Sequence, residues 1–213
     1  EGRLHERDGV IFTEPVTPFP LLAFLLLVAG KTGGRLNVLD FGGGFGSTYR
    51  QCLPFLAHLP HLQWDIVEQE AVVAAGKQRF TTDRLRFHSS VDEAASGHSP
   101  DVVIFSGVLQ YLENPYGVLA SAVACKPSMI VIDRNPFWYG SDDVFSLQMV
   151  SDEIFPARLP FRIFGRDSME KVLEPAYRTL SSFGTVDPDM MVGSDKVRFR
   201  GKAFERVSGI QQG

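Results

Sequence analysis

"NVLDFGGGFGSTYR", residues 37–50, sets an acidic residue and four glycines, Gly42, Gly43, Gly44 and Gly46, directly behind a short apolar run. Glycine loses more conformational freedom on folding than any other residue, so such a cluster needs a structural reason. At the carboxyl end of a parallel strand the chain must turn sharply into a helix. Gly42, Gly44 and Gly46 leave no Cβ in the way of a ligand there. The helix that follows presents unpaired N–H groups and the positive end of its dipole. Ligand crevices at such positions are general in open α/β sheets. A tight turn without a ligand would not need four glycines in five positions.

The flanking sequence supports that setting. "RLNVLDF" (35–41), "LQWDIVE" (62–68), "RLRFH" (84–88), "DVVIFS" (101–106) and "SMIVID" (128–133) are short and β-rich, several of them apolar on consecutive residues, as in strands covered on both faces. Helical patterns fill 46–57, 69–80, 90–96 and 115–125, and in the second of these Val72, Ala75 and Phe80 share a predicted face. Strand–helix alternation at this spacing predicts βαβ units, a parallel sheet and helices on both faces. "FPLLAFLLLVAG" (19–30) predicts a buried helix with Thr17 as N-cap and Pro18 at its first position. It is too short to cross a bilayer, so no membrane insertion is expected.

After Asp133 the rhythm breaks. Residues 135–165 are rich in aromatics, Pro and Gly, including Phe137, Trp138, Tyr139, Phe145, Phe155, Phe161 and Phe164. They read as an inserted loop or hairpin, either a lid over a substrate or a satellite core. Asp167 and Glu170 have the spacing of a helix N-cap and its capping box. Residues 177–187 and 196–207 look like a closing pair of strands. In the last, Lys196, Arg198, Arg200 and Lys202 alternate with Val197, Phe199, Gly201 and Ala203, which describes either a solvated face or a site for an anionic partner. The expected organisation is a single domain over 1–213, with an N-terminal helical segment 1–34 and the insert.

With 213 residues, 44% hydrophobic and 22% charged, the chain can bury a substantial core as one large domain. Lys and Arg total 21 against 25 Asp and Glu, a net charge of -4 that gives no reason to expect nucleic acid. Cys52 and Cys125 form no disulfide framework, so a reducing, cytoplasmic compartment is expected. His58 and His61 are separated by Pro60 and His5, His88 and His98 are scattered, so no metal site is expected.

The glycine spacing narrows the ligand. It runs G-x-G-x-G from Gly42, with Ser47 where a dinucleotide fingerprint has its third glycine. Asp40 would repel a pyrophosphate and suits a cation, such as an ammonium or a sulfonium. Glu68, ending the second strand, can accept both hydroxyls of a ribose. A nucleoside with an amino-acid tail and no phosphates meets these conditions.

"VLDFGGGFG", "IVE" and "DVVIFSGVLQYLENP" resemble the glycine motif, ribose acid and fourth-strand motif of class I S-adenosylmethionine-dependent methyltransferases, in order from about Leu36 to Asp133. "ERDGVIFTEP", "IDRNPF", "LQMV" and "FPARLPFRIF" are also similar to a group of bacterial methyltransferase-like proteins of unestablished substrate. The resemblance implies a Rossmann-like, doubly wound α/β fold with a mostly parallel seven-stranded sheet and an antiparallel last strand. It also implies S-adenosylmethionine as cofactor, S-adenosylhomocysteine as product and a small-molecule methyl acceptor. Gly42, Gly44 and Gly46 would lie under the methionine and ribose portions, with Phe41 and Gly43 part of the same motif. Asp40 would sit near the ammonium, directly or through water, and Glu68 on the ribose. Ser89 and Ser90 would flank the adenine, where the acid Asp92 comes slightly late. Ser106, Gly107 and Val108 would line the other side.

Methyl transfer from a sulfonium is an in-line displacement, so the main task is to hold the nucleophile in a dry pocket. A general base is needed only if the nucleophile arrives protonated. Tyr111 and Arg134, with Asn135, are the candidates for polar or catalytic contact near the methyl group. Gln110 and Tyr111 stand where many relatives carry an acid–histidine or histidine pair. Arg134 would clamp a carboxylate or phosphate, or else pair with an acid of the chain. Two other functions fit less of the pattern: a non-catalytic cofactor-binding module serving a partner protein, and an NAD(P)-dependent oxidoreductase.

Overall fold

The computed structural model describes residues 5–7, 10–13, 16–150 and 156–207. β1 (His5–Arg7) and β2 (Val10–Phe12) pair antiparallel, so among the described residues of the expected N-terminal helical segment 1–34 only the later part is helix. That part is α1 (Phe19–Lys31). It starts one residue later than predicted, with Pro18 rather than Thr17 at the N-cap, and buries Leu21, Leu22, Leu25, Val28 and Ala29.

The predicted alternation follows. β3 (Arg35–Phe41), α2 (Ser47–Leu56), β4 (His61–Val67), α3 (Glu70–Arg79), β5 (Leu85–His88), α4 (Val91–Gly97) and β6 (Val102–Ser106) succeed one another. A 3-10 turn (Leu109–Tyr111), α5 (Pro115–Ala124) and β7 (Met129–Phe137) complete it. The insert forms β8 (Val144–Val150) and β9 (Ala157–Ile163), an antiparallel pair; Phe155 lies outside the described residues. Then come α6 (Ser168–Leu173), β10 (Tyr177–Gly184), the short β11 (Met190–Val192) and β12 (Asp195–Arg206).

The main sheet runs β5-β4-β3-β6-β7-β12-β10, with β11 added on β12. β3 to β7 are parallel, and β12 is antiparallel to both β7 and β10. The expected Rossmann-like α/β sheet with an antiparallel last strand is present. The chain leaves β3 toward β4 on one side and returns to β6 on the other, which makes the ends of β3 and β6 the switch point where open α/β sheets bind ligands. The register brings the loops together: Phe41 pairs with Val67 and Phe105, Val67 with His88, and Ser106 with Asp133. The residues that follow each of these share one rim.

Alternation along the strands feeds two cores. Leu36 and Val38 of β3 face α1 and α2 with Leu25, Leu56 and Trp64, whereas Leu39 faces the other way with Phe105, Leu119 and Ile132. α3 turns differently from the prediction. Its buried positions are Val73 and Gly76, and Phe80 is exposed against Phe45 with ring centroids 5.3 Å apart. The cause is close packing on β5, where a Cβ at Gly76 would lie 2.5 Å from the Phe87 ring. A satellite core joins Phe161, Ile163 and Val197 with Trp138, Val144 and Phe199, so one face of the β8–β9 hairpin is packed. Its other face exposes Phe145, Leu147 and Met149. Among the described residues no helix is long and apolar enough to cross a membrane.

Candidate cofactor crevice and adjoining cavity

The glycine loop is held at the rim by Gly42, whose N–H donates to the Val67 carbonyl (2.9 Å), and by Gly46, whose N–H donates to Gly43 (2.9 Å). Gly42, Gly44 and Gly46 have φ of 74°, 56° and 89°, in the left-handed region that favours glycine. Their surroundings differ. A Cβ on Gly42 would press into Val108 at 2.5 Å, and one on Gly46 would meet Leu85 at 3.2 Å. At Gly44 nothing lies within 4 Å. The turn and the protein's own packing account for Gly42 and Gly46, and Gly44 alone of the three turns its Cβ position to open space.

Asp40, expected near the ammonium, lies beneath the surface of the crevice. Its position in β3 puts it on the same face as Leu36 and Val38, and it is only 1% exposed. Its Oδ2 accepts a hydrogen bond from Trp64 Nε1 (3.1 Å), while Oδ1 is buried with no partner among the described residues. Burial pushes the carboxyl up to about 7, opposed by the Trp64 hydrogen bond and reinforced by the charge of Glu68. The group lies beneath the loop, so close that a Cβ on Gly43 would be 2.7 Å from it.

Glu68 stands at the rim as expected. Its Oε1 accepts from the Gly44 N–H (3.2 Å) and its Oε2 from the Gln69 N–H (2.9 Å), so the acid after β4 and the loop after β3 are one unit. It lines a cavity of about 400 Å3 together with Phe41, Ser89, Ser90 and Asp92. The two serines already have work. Ser90 Oγ caps α4 by accepting from the Glu93 N–H (3.1 Å), and Ser89 donates through N–H and Oγ to Glu93 Oε2 (2.7 and 2.8 Å). Those bonds hold the Glu93 carboxyl down to about 2. The cap was legible in the sequence as S-x-x-E from Ser90. The serines therefore shape the cavity wall with their hydroxyls committed elsewhere.

Across the crevice, Ser106 ends β6, Gly107 (φ 67°) donates its N–H to the Asp133 carbonyl (2.9 Å), and Val108 packs on Gly42. The pairing of β7 with β12 shifts by one residue between Asn135 and Ile132, a bulge in β7 that leaves Arg134 at φ 59°. Its guanidinium is gripped by Asp187, Nε to Oδ2 at 2.9 Å and Nη2 to Oδ1 at 3.1 Å. Of the two roles expected for Arg134, this is the pairing with an acid of the chain.

Tyr111, a candidate for catalytic contact, is engaged within the chain. It donates to Gln148 Oε1 (2.7 Å), and its ring meets Phe161 edge-on at 5.7 Å, so it braces the hairpin against the turn after β6. Arg162 adds a second brace, on Asp143 (3.0 Å) and the Glu113 carbonyl (3.0 Å), and stacks over Phe145. Between turn and hairpin lies a cavity of about 520 Å3 lined by Gln110, Tyr111, Leu112, Phe145, Phe161 and Arg162 among others. Gln110 is the residue without a sequence signal for its role. Its Nε2 donates to the Gly107 carbonyl (3.0 Å), which leaves Oε1 a buried acceptor with no partner among the described residues. Among the described residues no group of three or more His, Cys, Asp or Glu is arranged to hold a metal ion.

No protein-family model and no curated protein matches the chain by sequence. Solved structures match it by fold. The N-terminal domain of EvdMO1 with SAH bound superposes with a TM-score of 0.56 at 16% identity, over 96% of this chain and 90% of that one. An S-adenosylmethionine-dependent methyltransferase from Clostridium acetobutylicum gives 0.56 at 12% identity, over 91% and 93%. The 1,6-didemethyltoxoflavin-N1-methyltransferase of Burkholderia thailandensis, with bound 1,6-didemethyltoxoflavin and S-adenosylhomocysteine, gives 0.54 at 18% identity, over 92% and 80%. At these identities the likeness is one of fold, and the chain has the Rossmann-like architecture of class I S-adenosylmethionine-dependent methyltransferases.

Proposed function

We propose that the protein is an S-adenosylmethionine-dependent methyltransferase acting on a small molecule or biosynthetic intermediate. The observation that carries this reading is the Glu68–Gly44 bond: it joins a ribose-accepting acid to a glycine loop at the switch point, beside open space. The residues fit the cofactor. Glu68 would hold the ribose hydroxyls, Phe41, Ser89 and Ser90 would border the adenine, and Ser106, Gly107 and Val108 would close the other side. When bound, S-adenosylmethionine supplies a methyl group activated by its sulfonium.

The chain's own part is positioning and exclusion of water. The cavity between the 3-10 turn and the hairpin supports an acceptor with an apolar or aromatic body. In this reading the hairpin acts as the lid. The widely spaced cysteines suit a reducing, cytoplasmic setting. One observation favours the second reading, a non-catalytic cofactor-binding module: both candidate catalytic groups, on Tyr111 and Arg134, are engaged within the chain.

Calorimetric titration separates the readings. S-adenosylhomocysteine is expected to bind in the micromolar range and NADH not to bind, and Gly44→Val is expected to abolish the binding. Binding of NADH in place of the homocysteine compound would overturn the assignment. Release of S-adenosylhomocysteine with candidate acceptors distinguishes enzyme from module.

A further inference from the structure

Five of the chain's 21 Lys and Arg residues converge on a cavity of about 580 Å3 that shares no lining residue with the cofactor crevice or the hairpin cavity. The register shifts beside β12 fall on its neighbours β7 and β10, so β12 itself keeps its period and lines up Lys196, Arg198, Arg200 and Lys202 on one face. Val197 and Phe199, on the opposite face, belong to the satellite core. Arg166, before α6, is the fifth cation, and among the described residues the carboxylates lining the cavity are Asp167 and Glu170.

The floor of this cavity is built. Lys202 is 9% exposed, and its Nζ donates to the Arg166 carbonyl (2.8 Å) and to Glu170 (2.7 and 3.0 Å) while lying 4.6 Å above the Phe137 ring. Glu170 is thereby drawn away from the capping-box role its spacing suggested, and α6 has no side-chain cap. Asp189 is shared between Lys196 (3.1 Å) and Arg200 (3.8 Å), and Arg166 pairs with Asp167 (3.2 Å). The Arg198 guanidinium has no ion-pair or hydrogen-bond partner among the described residues, in a chain whose net charge is -4. Cations therefore outnumber the acids that reach them. One wall is aromatic: Tyr139 is 68% exposed, and its ring lies 5.2 Å from that of Trp138.

We propose that this cavity is a second ligand site, one that takes a nucleoside diphosphate. Cations at every second residue of a strand are spaced about 7 Å apart, which matches a charge spread over two phosphates better than a single carboxylate. Guanidinium groups bind phosphate oxygens through paired N–H donors. Tyr139, backed by Trp138, offers a face on which a planar base stacks. Nothing in this argument depends on the methyltransferase reading.

The test is calorimetry on the full chain with S-adenosylhomocysteine in excess, using uridine diphosphate, inorganic pyrophosphate and uridine as probes. Uridine diphosphate is expected to bind more tightly than pyrophosphate, and uridine alone not measurably. Arg198→Glu should weaken uridine diphosphate by about tenfold or more, as expected for a lost charge-assisted contact. Tyr139→Ala should weaken uridine diphosphate and leave pyrophosphate unchanged. Far-ultraviolet circular dichroism and the thermal midpoint, measured separately, should match wild type in both variants, which reports that they fold. The proposal is overturned if neither phosphate compound binds, if Arg198→Glu leaves binding unchanged, or if pyrophosphate binds as tightly as uridine diphosphate.

Discussion

Replacing Asp40 by Asn removes the charge beneath the glycine loop and keeps the shape of the side chain. Burial raises the Asp40 carboxyl from 3.8 to about 7, which corresponds to a cost on the order of 4 kcal/mol for carrying the charge in the folded protein. The folded state holds this proton more tightly than the unfolded chain does. The contribution of Asp40 to stability is therefore undiminished below the unfolded value, declines as pH rises from about 4 to about 7, and is flat above. About 3 kcal/mol of the loss falls between pH 5 and pH 8. Asp40→Asn does not titrate, so its stability relative to wild type should rise by that amount over the same interval. In a chain of this length the rise corresponds to roughly 10 °C in Tm. The amide leaves an N–H where Oδ1 was unpartnered, which offsets the whole curve by about 1–3 kcal/mol and leaves its slope alone. Urea denaturation of both proteins at pH 5 and pH 8 measures the gap. A gap of equal size at the two pH values would refute the reasoning, because it would mean that burial does not hold the proton on Asp40.

Glu68→Ala should weaken S-adenosylhomocysteine binding by about 1–3 kcal/mol through lost charge-assisted hydrogen bonds, with little change in Tm, as read by calorimetry and thermal melting. Gly76→Ala should destabilise the protein by about 1–3 kcal/mol, because overpacking against Phe87 outweighs the roughly 1 kcal/mol gain in helix propensity; the denaturation midpoint checks it. Tyr111→Phe removes the brace to Gln148 and should lower turnover by less than about tenfold, since loss of a general acid or base would cost about 10²–10⁴-fold. A fall of that larger size in kcat would return Tyr111 to a catalytic role.

Features that depend on near neighbours along the chain could be read before any coordinates. Strand–helix alternation, the left-handed glycines after β3 and the acid closing β4 follow from local sterics, period and spacing, and they pointed to the ends of β3 and β4. The identity of a polar partner does not follow from spacing. Arg134 meets Asp187 and Tyr111 meets Gln148 across long stretches of chain, so the partners of residues chosen for reactivity were set by the tertiary structure. Asp40 went under the loop because a residue on its face of β3 is buried by α2 and Trp64, and Phe80 turned outward because α3 packs directly on Phe87. Short-range geometry is set by each residue's own backbone preferences. Burial, ion pairing and the protonation of a carboxyl depend on which distant side chains the finished packing brings within a few ångströms, and only the tertiary structure decides that.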